Sequence, residues 1–234
     1  MSSQYLYLII NIGTILFPFI FSFEKRVAYY TWWKYLIPAF LLTASLFLLW
    51  DHFFTIWGVW GFSETYTTGI KLGVLPLEEI LFFITVPYAS IFIYAFVNRF
   101  WPHAGVFDRY QKQISIGILI IASLVMIMHY DRAYTALNCG YAIVLLALQL
   151  FWIKGKYMGQ FYRFYLWHLI PFFIVNGILT GTGIANEVVW YNNQENLGIR
   201  IGTIPVEDTL YSLSLMLMNI TLLEYFKSRK QNAA

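Results

Sequence analysis

Seven apolar runs, separated by short polar or charged stretches, dominate the chain: residues 5–23, 33–50, 76–97, 114–128, 133–153, 164–185 and 205–226. About 20 residues cross the hydrocarbon of a bilayer, so each run predicts a membrane-crossing helix, the fourth being the shortest. Glu24-Lys25-Arg26 marks the end of the first helix and Asp51-His52 the end of the second. Pro76 and Pro205 fall where proline is favoured, in a first helical turn. Pro18, Pro38, Pro87 and Pro171 lie within or near span ends. Proline there kinks a helix, and packed neighbours satisfy the carbonyls it frees.

Composition supports the pattern. Of 234 residues, 59% are hydrophobic and 12% charged, about half the charged share of an average soluble domain. Mean hydropathy is +0.62. This is the profile of a membrane protein, and the length fits one compact helical bundle. Aromatic residues make up 21%, more than interfacial belts need, which leaves many to line an interior. A single cysteine, Cys139, excludes an internal disulfide and a cysteine-based metal site. The net charge of +3 is too small and scattered for a nucleic-acid partner. Met-Ser-Ser-Gln at the start has no basic segment of the kind a cleaved signal peptide carries. With seven spans, Lys71, Arg132 and Arg200 fall on one side and the other twelve of the fifteen cations, including Lys156 and Lys230, on the opposite side. The positive-inside rule then predicts a multi-pass cell-membrane protein with its N-terminus outside and its C-terminus in the cytoplasm.

One stretch occurs twice. Gly69-Ile70-Lys71-Leu72-Gly73-Val74-Leu75-Pro76-Leu77-Glu78-Glu79 matches Gly198-Ile199-Arg200-Ile201-Gly202-Thr203-Ile204-Pro205-Val206-Glu207-Asp208 without a gap. The likeness reaches back to Leu36-Ile37-Pro38 and Leu169-Ile170-Pro171, and to Trp60 and Trp190. Runs one to three therefore correspond to runs five to seven, and the fourth is a joint. The expected fold is an all-α membrane protein of seven transmembrane helices. Two parallel three-helix repeats, at 1–113 and 133–234, are joined by a linking helix at 114–132. Parallel repeats imply a pseudo-two-fold axis along the membrane normal, with both carboxylate pairs at one depth.

Carboxylates at the start of a hydrophobic helix are costly unless they have work to do. Glu78 and Glu79 sit about 100° apart on a helix, so they face different ways, and so do Glu207 and Asp208. Two carboxyls close together in an apolar site rarely both ionise, and a carboxyl that keeps its proton is a general acid. Each pair is thus a candidate acid/base pair or, more plainly, a set of helix-start carboxylates favoured by the dipole. Phe82 and Phe83 follow the first pair by one turn, and Tyr211 matches Phe82 in the second copy. Their faces suit a cation, although the same spacing serves packing. Asp51, in a Trp-Asp pair on the motif side, is a further candidate, whereas His52 and His129 sit at span ends as interfacial residues do. Lys71 and Arg200 either hold the neighbouring carboxylates as partners or snorkel to the interface.

Several of these segments resemble a known family. Trp50-Asp51, Trp60-Gly61-Phe62, Tyr66-Thr67-Thr68-Gly69-Ile70 and Pro76-Leu77-Glu78-Glu79-Ile80-Leu81-Phe82-Phe83 resemble the first domain of the integral-membrane lycopene cyclases of some bacteria, archaea and fungi. Gly202-Thr203-Ile204-Pro205-Val206-Glu207-Asp208-Thr209-Leu210-Tyr211 is similar to their second domain. The second copy departs in having Tyr211-Ser212 for Phe-Phe, and Asn186-Glu187 about where a Trp-Asp pair would stand. The resemblance implies a fused β-cyclase acting on lycopene and then γ-carotene drawn from the bilayer, among membrane lipids and other carotenoid enzymes. It implies catalysis by Glu78, Glu79, Glu207, Asp208 and Asp51, with Trp60, Phe62, Phe82, Phe83, Trp190 and Tyr211 against substrate and Lys71 and Arg200 in electrostatic support. The reaction that the resemblance implies is a non-redox isomerisation, and no cofactor or metal is expected: the chain has no G-x-G-x-x-G, phosphate loop or metal-ligand cluster. Other classes fit less well. A retinal protein needs a lysine in a span core, a prenyltransferase needs clustered aspartates, and a proton-coupled transporter would hold its carboxylates near the midplane. A carotenoid hydratase is the nearest enzymatic alternative.

Overall fold

The apolar runs fold as long helices, since a backbone in hydrocarbon must satisfy its own polar groups. The computed structural model describes residues 3–155 and 157–231. Lys156 and the side chain of Lys230, both counted in the charge asymmetry, lie outside the described residues. The helices are α1 (Leu6–Phe21), α2 (Trp33–Ile56), α3 (Leu77–Phe100), α4 (Val106–Met128), α5 (Ala133–Ala147), α6 (Met158–Leu179) and α7 (Glu207–Gln231). A π-helical turn, Leu148–Ile153, extends α5. Five helical stretches among the described residues are long and apolar enough to cross a membrane: Ser3–Phe21, Tyr29–Ile56, Leu77–Phe100, Val106–Met128 and Ala133–Ile153.

Several boundaries differ from the sequence expectation. Helix α2 does not stop at Asp51-His52 but continues to Ile56. Asp51 is buried inside it, and Thr55 Oγ1 donates to the Asp51 carbonyl at 2.8 Å. Helix α4 begins at Val106, ahead of its apolar run, through a first turn that carries Asp108. Helix α6 lies earlier than its run: Gly181, at φ +110°, takes the chain out of the helix soon after Leu179. Pro76 precedes α3 with extended dihedrals, φ −67° and ψ 151°. Pro205 likewise ends a strand before α7. Neither is in a first helical turn, because each closes a hairpin instead. Pro18, Pro38, Pro87 and Pro171 are all inside helices.

The two three-helix repeats are visible in the packing. α1 packs on α3 as α5 packs on α7, and α2 crosses to α7 as α6 crosses to α3. α3 and α7 meet at the centre, and α4 packs on α5 and α6 as the link. Equivalent strands also meet: β1 (Trp60–Phe62) pairs antiparallel with β4 (Val189–Tyr191), in the register Trp60↔Tyr191, Gly61↔Trp190, Phe62↔Val189. A Cβ at Gly61 would overlap the Trp190 indole, so only glycine allows this crossing. Each repeat then forms a hairpin before its central helix, β2 (Lys71–Leu72) with β3 (Leu75–Pro76), and β5 (Arg200–Ile201) with β6 (Ile204–Pro205). Both have two-residue loops opened by a glycine at positive φ, Gly73 at +65° and Gly202 at +64°. Glycine at the first loop position is the mark of a type II′ hairpin turn. The main core, with Phe47, Phe83, Phe161, Leu146, Met216 and Ile220 buried in it, lies between these central helices and their neighbours.

Candidate active site

The hairpins fix the start of α3 and α7, and the first carboxylate of each motif ties hairpin to helix. Glu78 Oε1 accepts the Thr68 backbone N–H at 2.7 Å, and Glu207 Oε1 accepts that of Leu197 at 2.6 Å. Both donors lie ten residues before their acceptor. The carbonyls of the same glutamates accept Asn11 Nδ2 at 3.0 Å and Asn138 Nδ2 at 2.7 Å. Thr135 Oγ1 adds a 2.7 Å bond to Glu207. Glu78 and Glu207 thus knit each central helix to its hairpin and to the first helix of its repeat.

The second carboxylate of each motif turns the other way. Glu79 Oε2 accepts the Tyr7 hydroxyl at 2.5 Å. Asp208 Oδ1 accepts the Tyr134 hydroxyl at 2.5 Å, and its Oδ2 accepts Asn176 Nδ2 at 2.7 Å and the Tyr191 hydroxyl at 3.0 Å. Glu79 and Asp208, one from each repeat, line the same small chamber of about 60 Å³. Its other walls include Trp60, Phe62, Phe82, Phe172, Tyr211 and Met216. Asp51 stands behind the wall: its Oδ1 accepts Trp60 Nε1 at 2.5 Å, while its Oδ2 is buried without a partner among the described residues. Glu78, Glu79, Glu207, Asp208 and Asp51 are exposed by only 0, 7, 5, 3 and 1%, so none of the five is an interfacial carboxylate.

Aromatic residues surround the carboxylates at contact spacing. The Trp60 ring lies 5.2 Å from Tyr134, 6.0 Å from Tyr191 and 6.1 Å from Tyr211. Phe83, by contrast, points into the core beside Phe47 and does not line the chamber. Trp190 also falls outside, because strand alternation sends it over Gly61 while Tyr191 turns inward. His52 and His129 do not line the chamber either. Asn186-Glu187 is exposed and supplies no counterpart to the buried Asp51.

The two motif cations make other contacts than those expected. Lys71 Nζ donates to Glu64 at 2.8 Å, and this hydrogen bond and charge hold the Glu64 carboxyl below its ordinary range. Arg200 donates to the Thr203 carbonyl at 2.7 Å and to Asn193 Oδ1 at 2.9 Å, with its guanidinium over the Tyr191 ring. Both sit on hairpin strands facing away from the chamber, so neither pairs with a motif carboxylate. Burial, then the nearby Asp208, push the Tyr191 hydroxyl well above its ordinary value, so it remains a donor.

Tyr7, Tyr134, Tyr191, Phe172 and Asn176 join the site without having been singled out from the sequence. One signal for two of them exists: Tyr7-x-x-x-Asn11 in the first run repeats as Tyr134-x-x-x-Asn138 in the fifth. Comparison with protein families matches this chain to lycopene cyclase over residues 4–97 and again over 131–226. The unmatched segment between them contains the whole of α4, the link. No curated protein and no solved structure matches the chain. Matched over most of its length in two successive copies, and carrying one buried acidic chamber between them, the chain belongs to the lycopene cyclase family, the enzymes that close carotenoid end rings.

Proposed function

We propose that this carotenoid cyclase is a lycopene β-cyclase, an intramolecular lyase that closes both linear ends of lycopene by way of γ-carotene. One observation supports it above the others: Glu79 and Asp208, contributed by different repeats, converge on one buried, aromatic-lined chamber. Glu79 takes a single hydrogen bond among the described residues, which leaves an oxygen free to carry a proton. Asp208 accepts three donors, and a set made only of donors favours an ionised carboxylate. Glu79 is therefore the acid and Asp208 the base, with Asp51 a reserve carboxyl behind Trp60.

The proton of Glu79 adds to the terminal double bond and leaves a tertiary cation. The electron pair of an internal double bond attacks that cation, forming the ring carbon–carbon bond and moving the charge into the ring. Asp208 removes a ring proton, and the pair left behind becomes the ring double bond. No atom is gained or lost; the net change on the protein is one proton moved from Glu79 to Asp208, and its return resets the site. Trp60, Phe82 and Tyr211 present π-faces, which stabilise a cation most where water is absent. The aromatic and aliphatic side chains that make up most of the lining favour ring closure over hydration, because an apolar end group that fills the chamber leaves water no place beside the cation.

The same reading assigns residues 1–113 and 133–234 to the two catalytic repeats and puts the hairpin end of the bundle outside the cell. Expression of the full chain in a lycopene-accumulating cell tests it, with pigments separated by chromatography. β-Carotene, with some γ-carotene, is the expected product. Unchanged lycopene would overturn the reading, and a hydroxylated acyclic carotenoid would replace it with a hydratase.

A further inference from the structure

The chamber is too small for the end of a polyene together with its trailing chain, so the chain needs a place outside it. Two apolar grooves flank the bundle, at positions that correspond in two of their three helices, α1 and α6 in one and α5 and α2 in the other. One, about 570 Å³, lies between α1, α3 and α6, and is lined by Gly13, Phe17, Phe21, Ala89 and Phe96 among others. The other, about 930 Å³, lies between α2, α4 and α5. They differ in one respect. The first shares Phe82, Val86, Phe172 and Asn176 with the chamber, so only these side chains stand between the two spaces. The second shares no residue with it. There Trp50 packs 5.7 Å from Tyr141 and 5.2 Å from Tyr211, and Phe54 lies 4.8 Å from Trp60, making an aromatic wall.

From this asymmetry we infer that the groove between α1, α3 and α6 is the substrate channel: the polyene slides in sideways from the bilayer, its leading end passes Phe82 and Phe172 into the chamber, and its trailing chain rests in the groove. The inference rests on the cyclase reading above. From Phe82 to Phe96 the groove follows α3 for about 21 Å at 1.5 Å per residue, a slot for an extended hydrocarbon. Its lining is almost wholly apolar, with few polar groups such as Thr14, Ser90 and His168, as an unsubstituted polyene requires. Phe82 and Phe172 stand where groove meets chamber, and their rotation opens the passage.

Gly13 and Gly140 supply a matched pair of probes. Gly13 lies in the connected groove, with nothing within 4 Å of an added Cβ, and Gly140 lies in the walled-off groove, near only Met126 Sδ at 3.6 Å. Gly13→Trp and Gly140→Trp are to be made in the full chain, expressed in lycopene-accumulating cells, and compared at equal membrane protein level. Gly13→Trp is expected to lose about tenfold or more of ring formation, in line with the cost of a misplaced reactant, and Gly140→Trp to stay near wild type. Ala89→Val, a smaller change in the same groove, keeps the comparison open should the tryptophan lower membrane levels; it too should slow ring formation while Gly140→Trp does not. Equal activity of the connected-groove variants and wild type, or loss confined to Gly140→Trp, would overturn the channel. A wild-type chain that forms no ring would instead overturn the cyclase reading itself.

Discussion

Glu78 and Glu79 are neighbours with different work. Glu78 accepts a backbone N–H and locks a hairpin, while Glu79 faces the chamber. Removing Glu78 or Glu207 by alanine should therefore act on stability. Each change leaves a part-buried backbone N–H, that of Thr68 or of Leu197, without its acceptor, about 1–3 kcal/mol, read as a lower melting temperature in detergent and less protein in the membrane. The Lys71–Glu64 pair gives a contrasting case. Lys71 lowers the Glu64 carboxyl, so their mutual stabilisation is present above the ordinary glutamate range and is lost as pH falls through the lowered value. Both side chains are substantially exposed, so salt screens the pair. Lys71→Met should return Glu64 to its ordinary range by NMR titration while leaving ring formation and its pH profile unchanged. A shifted profile would mean that Lys71 reaches the chamber carboxylates after all.

At the scale of elements, the hairpins set the carboxylates in place. Gly73 and Gly202 occupy positive φ, and alanine at either should cost about 1 kcal/mol or somewhat more, detectable as an earlier thermal transition, with Gly73→Ala the larger because its Cβ would meet the His52 ring at 3.3 Å while that of Gly202 meets open space. The duplication, the apolar runs and the acidic motifs were legible in the sequence because each is a local pattern. Which acid of an adjacent pair turns inward was not, since either choice satisfies the 100° rule until the neighbours are known. Tyr7 and Tyr134 decide it, 72 and 74 residues away from the acids they touch. Helix α2 outran its expected end because Asp51, a charge that reads as a boundary, is paired with Trp60 and kept inside. β1 and β4 are three residues each, too short for any period to show. The copies also differ where sequence made them look alike. Thr85 Oγ1 donates to Asn11 Oδ1 at 2.6 Å, whereas the corresponding Ser214 hydroxyl and Asn138 oxygen are buried without partners among the described residues.

At the scale of the molecule, the proposed reading makes one reaction centre of the two repeats rather than two. Each supplies one chamber carboxylate, and the cross-repeat pairs α2 with α7 and α6 with α3 hold them together. On the proposed reading, a single chamber reached from one groove treats one end of the polyene at a time, and the half-closed product leaves and returns reversed before the second ring forms. γ-Carotene should therefore accumulate early in a time course and exchange with a labelled γ-carotene pool added in lipid vesicles. A second ring formed without exchange would require both ends to be held at once.

The most direct test is to make Glu79→Gln and Asp208→Asn separately and measure the ring-containing pigments each yields at wild-type membrane levels. With one centre built from both repeats, each single change should remove ring formation by at least about a hundredfold, the usual worth of an acid or base. If either variant still made β-carotene at the wild-type rate, or stopped cleanly at γ-carotene as independent sites would, the shared centre would be refuted.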